Sequence, residues 1–318
     1  MNNNYRFIAI GDLVIDRVID KFGYTVKEDG GGSKFNVLSR IASNRGKALV
    51  FSGCGKDKSG DIAIHSLKKY GVDISHIVRY GNQTKTYELQ RIGNGEFKST
   101  KKNWYKDSII TIDIVKRDIL PEDVIVMDNL TNFDIEILNS FKNDKVLDIG
   151  RINMLEKLSN NQIEKYLKGR LEIIQTNEKV EKYIRNRFGY SNISSLYEIL
   201  QPNLLVVTKG KNGADFITSD KIWHKGIKKP AIEVDTTGAG DAFFSVIISN
   251  YYEYVKDKNA IDDTFVNNTF FEALKVTKQV VSYMGSRGDL DHFLDNNKTS
   301  IVQTSKKTIR KDDDIIYE

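Results

Sequence analysis

The 318-residue sequence contains a single cysteine, Cys54. One thiol closes no internal disulfide, so the fold does not depend on an oxidising compartment. Cys54 ends an apolar run in "FSGCG" and reads as a small core residue at a strand end. Histidine is scarce as well. His65, His76, His224 and His292 show no spacing that makes a metal site or a dyad with the cysteine. Three prolines leave the elements lightly punctuated. No apolar run approaches the roughly 20 residues that a membrane-spanning helix needs. The opening "MNNNYRFIAIGD" is too short in its apolar part for a signal peptide. The expected location is the cytoplasm, with no membrane partner. Neither sign of charge dominates: 48 basic residues face 43 acidic ones, and the lysines are spread along the chain. The densest basic stretch near an aromatic, "STKKNWYK" (99–106), reads as a solvated loop, so no nucleic-acid partner is expected.

What is present is alternation. "YRFIAIGDL", "KALVFSGCG", "DVIVMD", "KVLDIG", "LEIIQTN" and "NLLVVTKG" are short apolar runs ending in polar or glycine turns. Between them lie helical patterns: "SGDIAIHSLKKYG", which opens on a capping serine, "NFDIEILNSF", "NQIEKYLKG" and "NEKVEKYIRNRFG". Strands alternating with helices predict an α/β fold, with a parallel sheet covered on both faces. Ligands then bind beyond the carboxyl ends of the strands. Two segments break the alternation. Residues 17–29 read as a hairpin turning near Gly23, and residues 84–103 as a hairpin around "GNG". Both are read as a small β-lid. The length allows two domains. The expectation is one domain over 1–296 with lid segments 17–29 and 84–103 inserted, then a charged, loosely held tail over 297–318.

The stretch "EVDTTGAGDAFF" (233–244) carries the chemistry. Thr237 to Gly240 offer successive backbone amides with little side chain in the way. The apolar run from Ala242 to Ile248 places them at a helix N-terminus. Unpaired amides and the helix dipole make an anion site there, and Gly238 and Gly240 permit close approach. Asp241 weakens such a site, so it needs another role. It reads either as a capping acid or as a base that takes a proton from a substrate hydroxyl. "DGGGSKFNV" (29–37), "GDLVID" (11–16) and "TKGKNGADF" (208–216) add further glycine or acid turns at strand ends.

Together, and in this order, these segments resemble the ribokinase-like (PfkB) carbohydrate kinases, from about Tyr5 to about Leu290. "DTTGAGDAF" matches the closing signature from Asp235 to Phe243. Gly31, Gly32 and Asn36 match the opening one. Gly55, Asp57 and Gly60, Asp148 and Arg151, and Thr208, Gly210 and Gly213 match further family patterns. The resemblance implies a ribokinase-like doubly wound, mostly parallel sheet and an ATP-dependent kinase. It implies Asp241 as catalytic base and Gly238, Ala239 and Gly240 as anion hole. Asp16, Gly32 and Asn36 would bind substrate hydroxyls, with Arg151 as a further candidate for substrate contact. Asn177, Thr208, Gly210, Gly213 and Gly285 would line the nucleotide site. Asp235 and Thr237 would hold a monovalent cation such as K+. One departure stands out. The family has a glutamate three residues after the asparagine, for Mg2+, but Val180 stands there. Glu181 is preferred over Glu178 as its replacement, beside Asn177; alternatively, waters and phosphates complete the magnesium shell.

Ser33 occupies the place of a lysine found in phosphofructokinase-type members, which favours an unphosphorylated sugar; the expected acceptor is a primary hydroxyl. Strand alternation puts Tyr87, Leu89 and Arg91 on one lid face and Glu88 and Gln90 on the other; if the second set faces the pocket, the ligand is polar. Lids in this family often pair across a homodimer. Alternatives are a nucleoside or other alcohol-bearing metabolite, with Phe35, Tyr87 or Trp104 around the base, and a non-catalytic sugar or nucleotide sensor.

Overall fold

The computed structural model describes residues 5–93, 96–103, 110–228, 234–256, 261–292 and 294. Trp104, the "GNG" turn beyond Gly93 and the 297–318 tail lie outside the described residues. The first half of the chain contains β1 (Arg6–Ile10), β2 (Val14–Ile19), β3 (Thr25–Gly31), α1 (Ser33–Ser43), β4 (Lys47–Cys54), α2 (Lys58–Lys69), β5 (Asp73–Arg79), β6 (Lys85–Gly93) and β7 (Glu96–Lys102). The middle contains α3 (Ile112–Asp118), β8 (Asp123–Met127), α4 (Asn132–Ser140), β9 (Lys145–Ile149), α5 (Asn160–Leu167), β10 (Ile173–Asn177) and α6 (Glu178–Phe188). Then follow α7 (Ser194–Leu200), β11 (Leu204–Thr208), β12 (Ala214–Ile217), β13 (Ile222–Lys225), α8 (Ala239–Asn250) and α9 (Asp263–Val281).

Nine strands form one sheet in the order β13-β12-β11-β10-β9-β8-β1-β4-β5. Pairing is parallel from β5 to β11 and antiparallel at the β12 and β13 edge. Successive side chains of a strand point to opposite faces, and β1 shows the consequence. Phe7 and Ala9 join one core, with α1, α2, α8 and α9; Ile8 and Ile10 join a second, with α3 to α7. The expected doubly wound α/β architecture is therefore present. Cys54 is buried at the end of β4.

The two irregular segments pair with each other in a separate four-stranded sheet, ordered β3-β2-β6-β7. A buried ion pair ties its root to the main sheet: Lys85 Nζ lies 2.7 Å from Asp12 Oδ2, just past β1. Helix α2 needs one correction. Its N-cap is Asp57, not Ser59: the Asp57 carboxylate accepts from Gly60 N at 2.9 Å. The same carboxylate accepts from Thr84 N at 2.9 Å and Thr84 Oγ1 at 2.5 Å, so the Gly55–Asp57–Gly60 turn anchors the lid. The serine hydroxyl instead donates to Glu28.

Candidate active site

Helix α8 starts where the glycine turn predicts. Gly238 is its N-cap, left-handed at φ 80°, and no side chain caps the end. Among the described residues the amides of Gly240 and Asp241 take no partner. A helix end left bare in this way attracts anions through its amides and dipole. Asp235 holds the turn in shape. One carboxylate oxygen accepts from Thr237 N at 2.9 Å and the other from Gly285 N at 2.8 Å. Both oxygens thus serve backbone amides and join the turn to the 282–288 segment. A Cβ on Gly238 would lie 2.6 Å from Ser286 Cβ and 2.9 Å from its carbonyl oxygen, so that segment packs directly on the turn.

Asp241 follows in the first turn of α8 and is buried. Asn36 on α1 donates to it, Nδ2 to Oδ2, at 2.7 Å. The Ser33 hydroxyl bonds it too. Burial pushes the Asp241 carboxyl above the usual range, although both hydrogen bonds favour the charged form; Asp128 adds to the rise and Arg40 opposes it. The expectation for Asn36 changes here. Its Oδ1 accepts from Arg287 Nε at 2.8 Å and Ser286 Oγ at 3.2 Å. An amide oxygen takes two such bonds, so Asn36 retains one N–H for a ligand rather than a donor and an acceptor.

Asp16 approaches from β2. Its carboxylate covers Gly31, where a Cβ would lie 2.3 Å from Asp16 Cγ. Gly32 then caps α1 at φ 91°. Burial raises Asp16 to about 6; Arg287 and Arg151 oppose the rise and Asp241 adds to it. Asp148, next to last in β9, is pushed up to about 7, by burial first and by Asp241 second. Gln175 on β10 links this acid to the anion turn: its Nε2 donates to Gly240 O at 3.1 Å and to Asp148 Oδ1 at 3.3 Å. Tyr87 on β6 stands opposite Asp16 and hydrogen-bonds Arg151. The lid face toward the site is therefore that of Tyr87 and Leu89. Glu88 lies on the other face, 3.6 Å from both Arg17 and Lys102. The polar row does not face the pocket.

The expected nucleotide residues gather at neighbouring strand ends, with Asn177 of β10 in register with Thr208 of β11. Gly210 follows at φ 54°, with open space around it. Gly213 has a backbone reason: a Cβ would lie 1.8 Å from Lys225 O. Asn177 is the N-cap of α6. Its Oδ1 accepts from Val180 N at 3.1 Å and its Nδ2 donates to Gly150 O at 2.8 Å. Glu181 is buried and paired with Arg185 one turn along α6. Val180 points into the core beneath. Neither Asn177 nor Glu181 presents a free oxygen pair for magnesium. Among the described residues no three His, Cys, Asp or Glu side chains converge as a metal site.

Sequence reasoning passed over Arg287, Gln175 and Asp128. Asp128 lies just beyond β8, and Lys34 Nζ is 3.6 Å from it while donating to Ile10 O at 2.8 Å. The Lys34 charge is thus spent under the sheet end, not on a substrate. Arg287 stands in "SYMGSRG", where only Gly285 drew attention.

Residues 6–264 match the family described as pfkB family carbohydrate kinase. A fructokinase of Salmonella typhimurium is 23% identical over 276 residues, 78% of this chain and 84% of its own length. An uncharacterised sugar kinase of Pyrococcus horikoshii, solved with ATP, superposes with TM-score 0.71 at 20% identity, over 88% of this chain and 93% of its own. A fructokinase of Vibrio cholerae, solved with fructose, ADP and potassium ion, gives TM-score 0.69 at 19% identity, over 91% and 96% of the two chains. Among the described residues no helix is long and apolar enough to cross a membrane.

Proposed function

The chain belongs to the pfkB family of carbohydrate kinases, and from that premise we propose that it transfers the terminal phosphoryl group of ATP to a primary hydroxyl of a small, unphosphorylated sugar. The observation that carries the reading is the buried Asp241 beneath the bare first turn of α8, held by Asn36 at 2.7 Å. The acceptor hydroxyl attacks phosphorus, the bond to the leaving ADP oxygen breaks, and Asp241 takes the hydroxyl proton. Phosphoryl transfer has a loose transition state, so a carboxylate of this kind serves by orienting the hydroxyl and accepting its proton late. The Gly240 and Asp241 amides, in the Gly238–Gly240 anion hole, meet the charge on the transferring group. Thr208 and Gly210 lie along the expected path of the nucleotide phosphates.

The acid-rich wall supports an uncharged substrate. The Asp241 charge acts against both Asp16 and Asp148, and this concentration of acid opposes an additional phosphate. Asp148, pushed up to about 7, is partly protonated near neutral pH and can donate as well as accept, whereas Asp16, raised to about 6, chiefly accepts from sugar hydroxyls. A primary hydroxyl projects furthest from a sugar ring and so reaches a carboxylate this deep. Mg2+ would come bound to the nucleotide phosphates and neutralise their charge; among the described residues no side chains form a metal cage for it. K+ would sit near Asp235 and Thr237, where both Asp235 side-chain oxygens already accept from the amides of Thr237 and Gly285.

The lid supports a further proposal, a homodimer. Phe22 and Tyr24 are each 73% exposed and Val26 61%, all at the tip of the β2–β3 hairpin, an apolar cluster that a second copy would cover.

The function is tested by ADP release with ATP, Mg2+ and a panel of sugars beginning with fructose, sugar phosphates and nucleosides. Asp241→Asn is expected to bind nucleotide as the wild type does and to lower kcat by about 10²–10⁴. Retained turnover in that variant removes the mechanism.

A further inference from the structure

Arg287 is 1% exposed and heads the largest fully buried side chains. Among the described residues it makes no ion pair within 4 Å of a carboxylate, and its hydrogen-bond partners are neutral. Nε donates to Asn36 Oδ1 at 2.8 Å, Nη1 donates to Ser66 Oγ at 3.1 Å, and Nη2 donates to Gly30 O. The guanidinium also lies 5.7 Å from the Tyr70 ring centre. A buried charge whose hydrogen bonds all go to neutral groups, with only the longer-range field of Asp16 to balance it, is a poor way to gain stability, since an apolar side chain fills such a space at lower desolvation cost. Its placement has a clearer effect on Asn36.

An asparagine amide can sit either way round, and its neighbours decide which. The guanidinium has donors only, so Asn36 must turn its oxygen to Arg287. Its nitrogen then faces Asp241. Without the guanidinium only the ionised Asp241 carboxylate would hold the amide this way round, and a protonated Asp241 would donate equally well to the rotated amide oxygen. The Ser286 hydroxyl is a weaker guide, because it donates and accepts equally well. Arg40 keeps Arg287 in place: its guanidinium pairs with Asp289 at 2.9 Å and donates to Ser286 O at 2.5 Å, which clamps the 286–289 segment onto α1.

We infer that Arg287 is a positioning residue for phosphoryl transfer: it locks the Asn36 amide so that its N–H, and not its oxygen, holds the Asp241 carboxylate. The inference rests on the reading of Asp241 as base. It also distinguishes Arg287 from a plain core residue, because its effect must pass through Asn36. The other groups that face Asp241 are Ser33 and Arg40 of α1 and Asp128 beyond β8; Asp16 of β2 and Asp148 of β9 act on it from across the site. None of these is removed in the test, and Arg287→Lys keeps the charge that Asp16 feels from this position.

The test is a double-mutant cycle of Arg287→Met and Asn36→Ala, read by 13C NMR titration of the Asp241 carboxyl, which needs no substrate. The signal is assigned by its loss in Asp241→Asn. In Arg287→Met the Asp241 midpoint is expected to move to higher pH, as in Asn36→Ala, because the carboxylate loses a donor. The double variant is expected to move it no further. With fructose and ATP as probes, kcat is expected to fall about tenfold or more, with KM for ATP unchanged and no added loss in the double variant. An Asp241 titration unchanged in Arg287→Met, or losses that multiply in the double variant, overturns the inference. If Arg287→Met does not fold, Arg287→Lys carries the same measurements, since an ammonium keeps the charge but not the fork. Wild-type turnover in Asp241→Asn refutes the base itself, whatever the Arg287 variants do.

Discussion

Replacing Asp148 with asparagine tests the electrostatics of the site while leaving the glycine turn of α8 alone. Asp148 titrates near 7 in the fold, against 3.8 for an ordinary aspartate, with burial as the main cause and Asp241 as the second. The sign follows from the protons held in each state. Below pH 4 the group is protonated folded and unfolded alike and contributes nothing. Between 4 and 7 the unfolded chain has released its proton while the folded one still holds it, so stability falls as pH rises. Above 7 the full cost is present. A rise of about three pH units at about 1.4 kcal/mol each sets a ceiling of about 4 kcal/mol. Asparagine is neutral throughout, and its oxygen still accepts from Gln175. Asp148→Asn is therefore expected to be more stable than the wild type at pH 8, by up to that ceiling. The advantage should shrink as pH falls and vanish near 4. Urea unfolding at a series of pH values measures it. An advantage that does not depend on pH, or a wild type that is the more stable protein at pH 8, refutes the argument.

Gly238→Ala is expected to cost about 2–3 kcal/mol and most of the turnover, because a side chain at φ 80° is strained and its Cβ would meet Ser286 at 2.6 Å; thermal unfolding and ADP release check both. Glu181→Gln is expected to leave the Mg2+ requirement unchanged and to cost about 1–3 kcal/mol through the weakened Arg185 pair; a raised Mg2+ requirement would restore the metal role of Glu181. Light scattering should give a dimer, and Phe22→Asp with Tyr24→Asp a monomer. A monomeric wild type at working concentration counts against the lid interface.

The legible part of this protein was local. A glycine turn before an apolar run marks the start of α8, because a bare helix end follows from backbone geometry within one turn. Asn36 and Asp241 could each be picked out along the chain, but their hydrogen bond joins residues 205 apart and depends on α1 and α8 packing on the same face of the sheet. Glu181 shows the converse. Spacing alone left it free to replace the acid absent at Val180, whereas one helical turn of structure commits it to Arg185. Ser59 lost its capping role to Asp57 for a similar reason, since both are good caps and only the path of the chain chooses.

The sequence by itself determined the alternating α/β order, the glycine turn that opens α8 and the identity of the acid in its first turn. These follow from periodicity, glycine conformation and helix termini, all set by neighbours a few residues away. Only the tertiary structure decided which lid face meets the site, that Asn36 is largely spoken for, and that Arg287 stands behind it. Arg287 and Asn36 are 251 residues apart. No local preference encodes such a contact. It exists because the 282–288 segment, held by Asp235 and Arg40, packs between the glycine turn of α8 and the face of α1.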